Sequence, residues 1–416
     1  MRNDKALMHQ SIKTLFKIIF LLCGVLFANA LAAQEATDSA KGSAKPTDYD
    51  ITDFFKKVFK KKPKIDSAAV KKTKPIVTVF PIAGYSLQTG LAVAISSGIE
   101  FTTDTTVTQK ISNVLTNVTY TQYHQILFPL AINIWTKQNK YNIVLDYRFL
   151  KYPSTTYGLG ANTTESDAYT INFNYIKLHQ SILKRLSNNL YGGIGFYYDH
   201  FWNITEVDPP AGVTTSFKRY GSGKTETASG IAIKMLFDSR KNQVNPDGGT
   251  YAHITFRPNY TFLGSDNNWQ SLQAEYRKYI AIPGRKHNVL ALWNYNWLTL
   301  GSGKPPYLSL PSTGWDDQYN TGRGYIQSRF RAKQMIYAEA EYRFGITNNG
   351  FIGGVAFVNG QSFSRYISGQ LAVIAPGFGA GLRIKLNKNS STNLCVDYGF
   401  GLNGSKGLFL NLGEVF

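Results

Sequence analysis

Cysteine is almost missing from this chain: its 416 residues hold 2, Cys23 and Cys395. Cys23 lies in an apolar run near the amino end, so a chain cleaved behind that run keeps Cys395 alone and can form no internal disulfide. Histidine is nearly as scarce, at 6 copies. His124, His179, His253 and His287 are scattered without metal-ligand spacing. Asp199 and His200 adjoin in FYYDHFW, but neighbours on a strand face opposite ways, so they cannot form an acid–base dyad. GSGK at 301–304 lacks the spacing and the following helix of a phosphate loop. GSDNN at 264–268 reads as a polar loop rather than a Ca²⁺ site. No catalytic set, cofactor or metal is therefore expected. Long apolar runs are missing too: the stretch Ile18–Phe27 falls short of the ~18 residues that a spanning helix needs.

Acidic residues are outnumbered 26 to 45, leaving a formal charge of +19. Such an excess suits nucleic acid or an anionic membrane, but much of it has a local explanation. Arg2, Lys5, Lys13 and Lys17 precede the apolar run, and the small residues Ala28, Ala30 and Ala32 follow it. This is the pattern of a secretory signal peptide over residues 1–32. Residues 33–75 are polar and too poor in apolar side chains to bury a core, which makes them a periplasmic tether. Within it, over 51–62, Ile51, Phe54, Phe55, Val58 and Phe59 recur at helical spacing, with Lys56, Lys57, Lys60 and Lys61 on the other face. The pattern predicts a short basic helix that rests Phe54, Phe55, Val58 and Phe59 on the membrane surface or on a barrel rim. A solvated lysine run is the competing reading. No nucleic-acid partner is expected.

What the sequence does have is 37 glycines and 14% aromatic residues, with Tyr and Phe at 26 each. From Ile76 onward the apolar residues alternate with period two, and turn residues interrupt them every ten to twenty positions. In 142–149, Ile143, Leu145, Tyr147 and Phe149 oppose Asp146 and Arg148; in 338–344, Ala338, Ala340, Tyr342 and Phe344 oppose Glu339, Glu341 and Arg343. The alternation does not say which face is inward. The expected fold is all-β, a transmembrane antiparallel β-barrel of about 16 strands over residues 76–416. Connection lengths support the count. With both ends of the barrel chain in the periplasm, the periplasmic connections should be short, as at 137–140, 186–189, 283–286, 347–350 and 387–390. The external ones should be long, as at 152–168, 206–225, 299–334 and 364–378.

Three segments then resemble the bacterial surface antigen superfamily, the barrels of BamA, TamA and two-partner secretion. FDSRKNQVNPDGGTY at 237–251 is similar to the superfamily's DxRxN…P…G element, a periplasmic turn carrying Asp238, Arg240, Asn242, Pro246 and Gly248. GRGY at 322–325 lies in the long connection between strands 11 and 12, a loop that the superfamily folds into the lumen. The resemblance implies a lock in which Arg323, Gly324 and Tyr325 form the tip and Glu341 accepts the arginine in a charge-assisted contact. Asn359 stands where relatives carry a second acid, so the lock is expected to be weaker or to use Glu339. GLFLNLGEVF at 407–416 resembles a carboxyl-terminal insertion signal with Leu408, Leu410, Leu412 and Phe416 on one outward face.

The resemblance covers essentially all of 76–416. The residues between the signal peptide and Ile76 are too few for one periplasmic POTRA domain, which implies a short, barrel-only member. It further implies an integral outer-membrane protein that assists insertion or translocation of proteins, or of lipids, through a weak seam between its first and last strands. Outer-membrane lipids, nascent outer-membrane proteins and the barrel assembly machinery are the implied partners. A passive channel or a structural surface protein that keeps the fold without insertase activity is the alternative.

Overall fold

The computed structural model describes residues 48–51, 53–54 and 75–416, apart from 106–108, 222, 286, 366–369 and 389–390. The expected signal peptide at 1–32 and most of the tether at 33–75 lie outside the described residues.

Sixteen strands form one antiparallel sheet: β1 (Ile76–Ser86), β2 (Gly90–Phe101), β3 (Ser112–Thr121), β4 (Ile126–Trp135), β5 (Tyr141–Lys151), β6 (Tyr169–Ser187), β7 (Leu190–Val207) and β8 (Glu226–Asp238) make the first half. β9 (Gly249–Asn259), β10 (Trp269–Ala281), β11 (Val289–Leu300), β12 (Gln334–Gly345), β13 (Ile352–Ser364), β14 (Leu371–Asn387), β15 (Thr392–Phe400) and β16 (Lys406–Leu412) make the second. Each strand pairs with the next along the chain. A three-residue strand, Ser154–Thr156, adds to the start of β6. Among the described residues no ladder joins β16 back to β1. The two strands nevertheless lie side by side: a methyl at Gly84 of β1 would stand 3.5 Å from Leu410 Cδ1 of β16.

The faces are the reverse of a water-soluble sheet. In β12, Glu339, Glu341 and Arg343 are buried inside while Tyr342 is exposed outside. In β8, Ala228, Ala232 and Leu236 face in, and Ile231, Ile233 and Met235 face out. Charged groups inward and an apolar belt outward suit a barrel whose exterior meets hydrocarbon, where the successive ladders also satisfy most of the backbone.

Long connections gather at one end and short turns at the other. One expected loop is corrected. Residues 371–378, assigned to an external loop at 364–378, are strand, because β14 already begins at Leu371. Pro376 and Gly377 look like loop residues, yet Ile374 and Phe378 keep the outward parity and Ala375 the inward one. A sheet this wide would enclose a water-filled channel if left empty. Here the connection between β11 and β12 packs inside it, together with the 152–168 connection and a short helix α1 (Ser216–Tyr220). The aromatic residues Tyr295, Tyr325, Phe330, Tyr337 and Phe363 form one interior cluster, and Tyr152, Phe173, Phe201, Phe217, Tyr220 and Tyr307 another.

Candidate functional site

The interior centre of charge forms where the tip of the β11–β12 connection reaches the wall. Gly322 and Gly324 both have positive φ, 80° and 108°, so the chain can turn on either side of Arg323 and push its side chain forward. A side chain at Gly324 would meet the Phe400 carbonyl at 2.5 Å, so only glycine allows this approach. Strand alternation supplies the receptors. Glu339 and Glu341 of β12 and Asp397 of β15 all point inward, and Arg323 donates to all three, at 2.5 Å in the case of Asp397. Arg323 is 1% exposed, and its guanidinium lies 3.8 Å from the centre of the Phe357 ring.

Further arginines extend the centre toward the last strand. Arg343 pairs with Glu341 at 2.6 Å, and Arg383 of β14 pairs with Asp397 at 2.5 Å. Arg383 also holds Glu414 at 2.8 Å. Four carboxylates thus alternate with three guanidinium groups from β12 to the residues after β16. Such a buried network is held by mutual pairing, because each member alone would be expensive to desolvate.

Asn359 sits beside Glu339 on β13 but does not contact the guanidinium; its Nδ2 donates to the Arg323 carbonyl at 2.9 Å. The acid absent at that position has a counterpart in Asp397, which sequence reasoning misses. Its signal was available, since Asp397 is a charged residue in the alternating segment 394–400. The Tyr325 hydroxyl donates to the Pro376 carbonyl at 2.6 Å and accepts the Leu402 N–H at 3.0 Å.

At the short-turn end the 237–251 element is more than a local hairpin. Arg240 Nε bonds Asp238 at 3.0 Å, and Asn242 Oδ1 caps the N–H groups of Val244 and Asn245 at 2.8 and 3.0 Å. Pro246 is buried, Gly248 has open space around it, and Gly249 rather than Gly248 takes the positive φ, at 97°. The loop then spans the barrel mouth. The Val244 carbonyl accepts the Glu414 N–H at 2.9 Å, and Asn245 Nδ2 donates to the Ser391 carbonyl at 3.1 Å.

Phe416 requires a correction. Leu412 is exposed, and Leu408 and Leu410 share its outward parity, but Phe416 does not join them. Gly413, with φ of 83°, breaks the alternation and turns the chain inward. Phe416 is buried, with its ring 5.1 Å from that of Trp293 and 6.3 Å from that of Tyr279. Arg343 Nη2 donates to its carbonyl at 3.0 Å, and Asn320 of the lumenal loop holds the Val415 carbonyl at 2.7 Å.

The described residues of the segment expected to be a tether, 48–51 and 53–54, also meet the barrel. Asp50 and Asp53 cap each other's N–H groups at the start of a helical turn at Ile51. Phe54 stacks on Phe351, and Tyr49 meets the same ring edge-on. Asp53 accepts Lys388 Nζ at 2.6 Å, and that bond raises the Lys388 pKa above its ordinary value. Phe54 therefore contacts the rim; Phe55, Val58 and Phe59 lie outside the described residues. As for Asp199 and His200, the aspartate accepts from His179, Tyr175 and Arg257 inside, and the histidine bonds Thr227.

A model of the Omp85 superfamily domain matches residues 83–407. Among solved structures the chain resembles BamA from Haemophilus ducreyi lacking POTRA domains 1–3, at 12% identity and a TM-score of 0.55, over 82% of this chain and 70% of that one. It also resembles CdiB from Escherichia coli, at 10% identity and a TM-score of 0.54, over 83% of this chain and 63% of that one. At such identities the likeness is one of fold. No curated protein gives a match.

Proposed function

The chain belongs to the Omp85 superfamily, and on that premise we propose that this outer-membrane barrel assists insertion or translocation of proteins at its β1–β16 seam. The observation that carries the reading is the missing ladder. Fifteen successive strand pairs are bonded, while β1 and β16 lie together without one, so each keeps an edge able to pair with an incoming strand. β16 is the shortest of the sixteen strands, at 7 residues, so part of the β1 edge, 11 residues long, extends past it. Lipid and nascent outer-membrane proteins are the partners that such an edge would meet, with the barrel assembly machinery as the route of the chain's own delivery.

The passive-channel reading is less well supported. The lumenal loop, the residues after β16 and the 239–248 loop all occupy the interior or its periplasmic mouth. Depleting the protein should lower a defined set of outer-membrane proteins, and an unchanged envelope proteome would overturn the proposal. A thiol cross-link between Gly84→Cys and Leu410→Cys should leave the barrel folded but fail to restore the depleted set. Stable conductance of the parent protein in planar bilayers would favour the channel instead.

A further inference from the structure

The two ends of the seam differ. At the outer end β1 and β16 touch. Gly84 lies against Leu410, and Leu87, in the turn after β1, packs so closely on Gly407 that a methyl at residue 407 would collide with it. Both contacts belong to one antiparallel register, which sets Ile82 opposite Leu412, the last residue of β16. Residues 76–81 of β1 therefore run on toward the periplasm with β2 on one side and no strand on the other. Whatever holds the two sides of the seam together at that end must do so indirectly.

We propose that Lys110 is the latch that does this, tying the β1 side of the seam through Asp238 to the loop that reaches the residues after β16. The inference deepens the seam reading, from which it takes only that the seam is where the protein acts.

Lys110 stands in the β2–β3 connection, and its side chain crosses the periplasmic mouth as a chord. Its Nζ donates to the Asp238 carbonyl at 2.7 Å and lies 3.9 Å from the Asp238 carboxylate, at the end of β8, five strands further round the wall. On the way it stands 4.4 Å from the ring centre of Trp135 at the end of β4 and 5.6 Å from that of Tyr191 on β7. The backbone is placed beforehand. The Lys110 N–H donates to Asn139 Oδ1 at 2.9 Å, and Gln109 Nε2 donates to the Thr136 carbonyl at 3.2 Å. The Lys110 and Asp238 side chains are 15% and 2% exposed, so their charge-assisted contact is largely shielded from water and salt.

From Asp238 the tie continues. Its carboxylate also accepts Arg240 Nε at 3.0 Å and Gln243 Nε2 at 3.4 Å. The same loop then reaches Glu414 through the Val244 carbonyl and Ser391 through Asn245. Ladders fix each strand to its neighbours but tolerate a range of twist, so the curvature of a long arc of wall can relax. Two chords meeting near Asp238 fix the arcs from β3 to β8 and from β8 to β16. With both arcs fixed, the gap between β1 and β16 is fixed as well. The Lys110 chord hangs on one side chain, whereas Glu414 is also held by Arg343 and Arg383. Release of Lys110 is therefore the step that frees the β1 side.

The gap can be measured directly. Val93→Cys on β2 and Phe400→Cys on β15 are exposed positions on the outer face, on the strands that flank β1 and β16. Spin labels there report their separation by double electron–electron resonance in the full chain purified in detergent. Cys395 is buried, and the parent should take up no label. The labelled pair alone should give one distance. Lys110→Met keeps the stem over Trp135 and removes the ammonium, so the ratio of released to latched seam should rise about tenfold or more, seen as a second, longer distance. Lys110→Arg should keep the single distance, because a guanidinium also reaches both the carbonyl and the carboxylate. Heat-modifiable gel migration confirms that each variant is folded. Distributions that superpose for the pair with and without Lys110→Met would overturn the latch. A longer distance in Lys110→Arg as well as in Lys110→Met would overturn it too, in favour of simple packing at the mouth. The measurement involves no client. Its failure leaves the seam reading standing, and an unchanged envelope proteome on depletion leaves the distances as they are.

Discussion

Replacing Arg323 with alanine is the most direct test of how the lumenal loop is held. The substitution removes a cation that touches Glu339, Glu341 and Asp397 together. Glu341 keeps Arg343, and Asp397 keeps Arg383. Glu339 is left with the Tyr337 hydroxyl. Breaking one side of a buried ion network costs about 3–5 kcal/mol, and the bond from Asn359 to the backbone at residue 323 is common to parent and variant, so it leaves that difference unchanged. The ratio of seated to unseated loop should therefore fall by roughly two to three powers of ten. Arg329 and Arg331 report on it, because both are buried in the seated loop and bonded there, to Glu165 and to the Tyr307 carbonyl. Limited trypsin digestion followed by mass spectrometry should cut the variant at these two sites while the parent resists. Arg323→Lys should lie between them, since a single ammonium cannot span three carboxylates. If Arg323→Ala resists trypsin as long as the parent and its heat-modifiable migration is unchanged, the lock has been misread.

Other consequences are open to measurement. Asn359→Ala should destabilise the seated loop by about 1 kcal/mol, a small rise in cutting at the same sites. Phe416→Ala, losing its packing on Trp293, should cost about 3 kcal/mol and shift the Trp293 emission, and an unshifted spectrum would count against the inward position of residue 416. Gly413→Val would force a branched side chain into a positive-φ turn that already lies close to Val244, so hydrogen exchange should rise in 413–416 and leave β5–β8 unchanged. Lys388→Glu would set a like charge against Asp53 and Asp50; residues 48–54 should become protease-sensitive, with a change in overall stability under about 1 kcal/mol.

Much of the barrel could be read from the chain alone, because period-two alternation and turn residues are local signals. Strands such as Tyr141–Lys151 and Gln334–Gly345 carry both, and the alternation of short and long connections gave their order. Glycine and proline mislead where they sit inside a strand, as at Pro376 and Gly377 of β14. The centre around Arg323 was partly legible. A long connection ending in GRGY, followed by a strand with two inward acids, suggests which groups meet. Asp397 does not emerge as a partner: its inward parity is a local signal, but its contact with Arg323 joins β15 to a loop that enters three strands earlier, which no local pattern records. The inward turn of residue 416 was hidden for a related reason: parity extends outward through Leu412, and a single positive-φ glycine cancels it. Contacts across the barrel mouth, such as Val244 with Glu414, leave no trace in a linear pattern at all.

The unequal wiring of the two sides of the seam has a mechanical consequence. From β12 to the residues beyond β16, the wall is cross-braced by the acid and arginine network that also anchors the loop. On the other side, β1 to β4 together carry one side chain from the set Asp, Glu, Lys, Arg and His, Glu100. The seam thus has a rigid jamb and a pliant leaf. Any movement there would fall on the first four strands and leave the last strand standing.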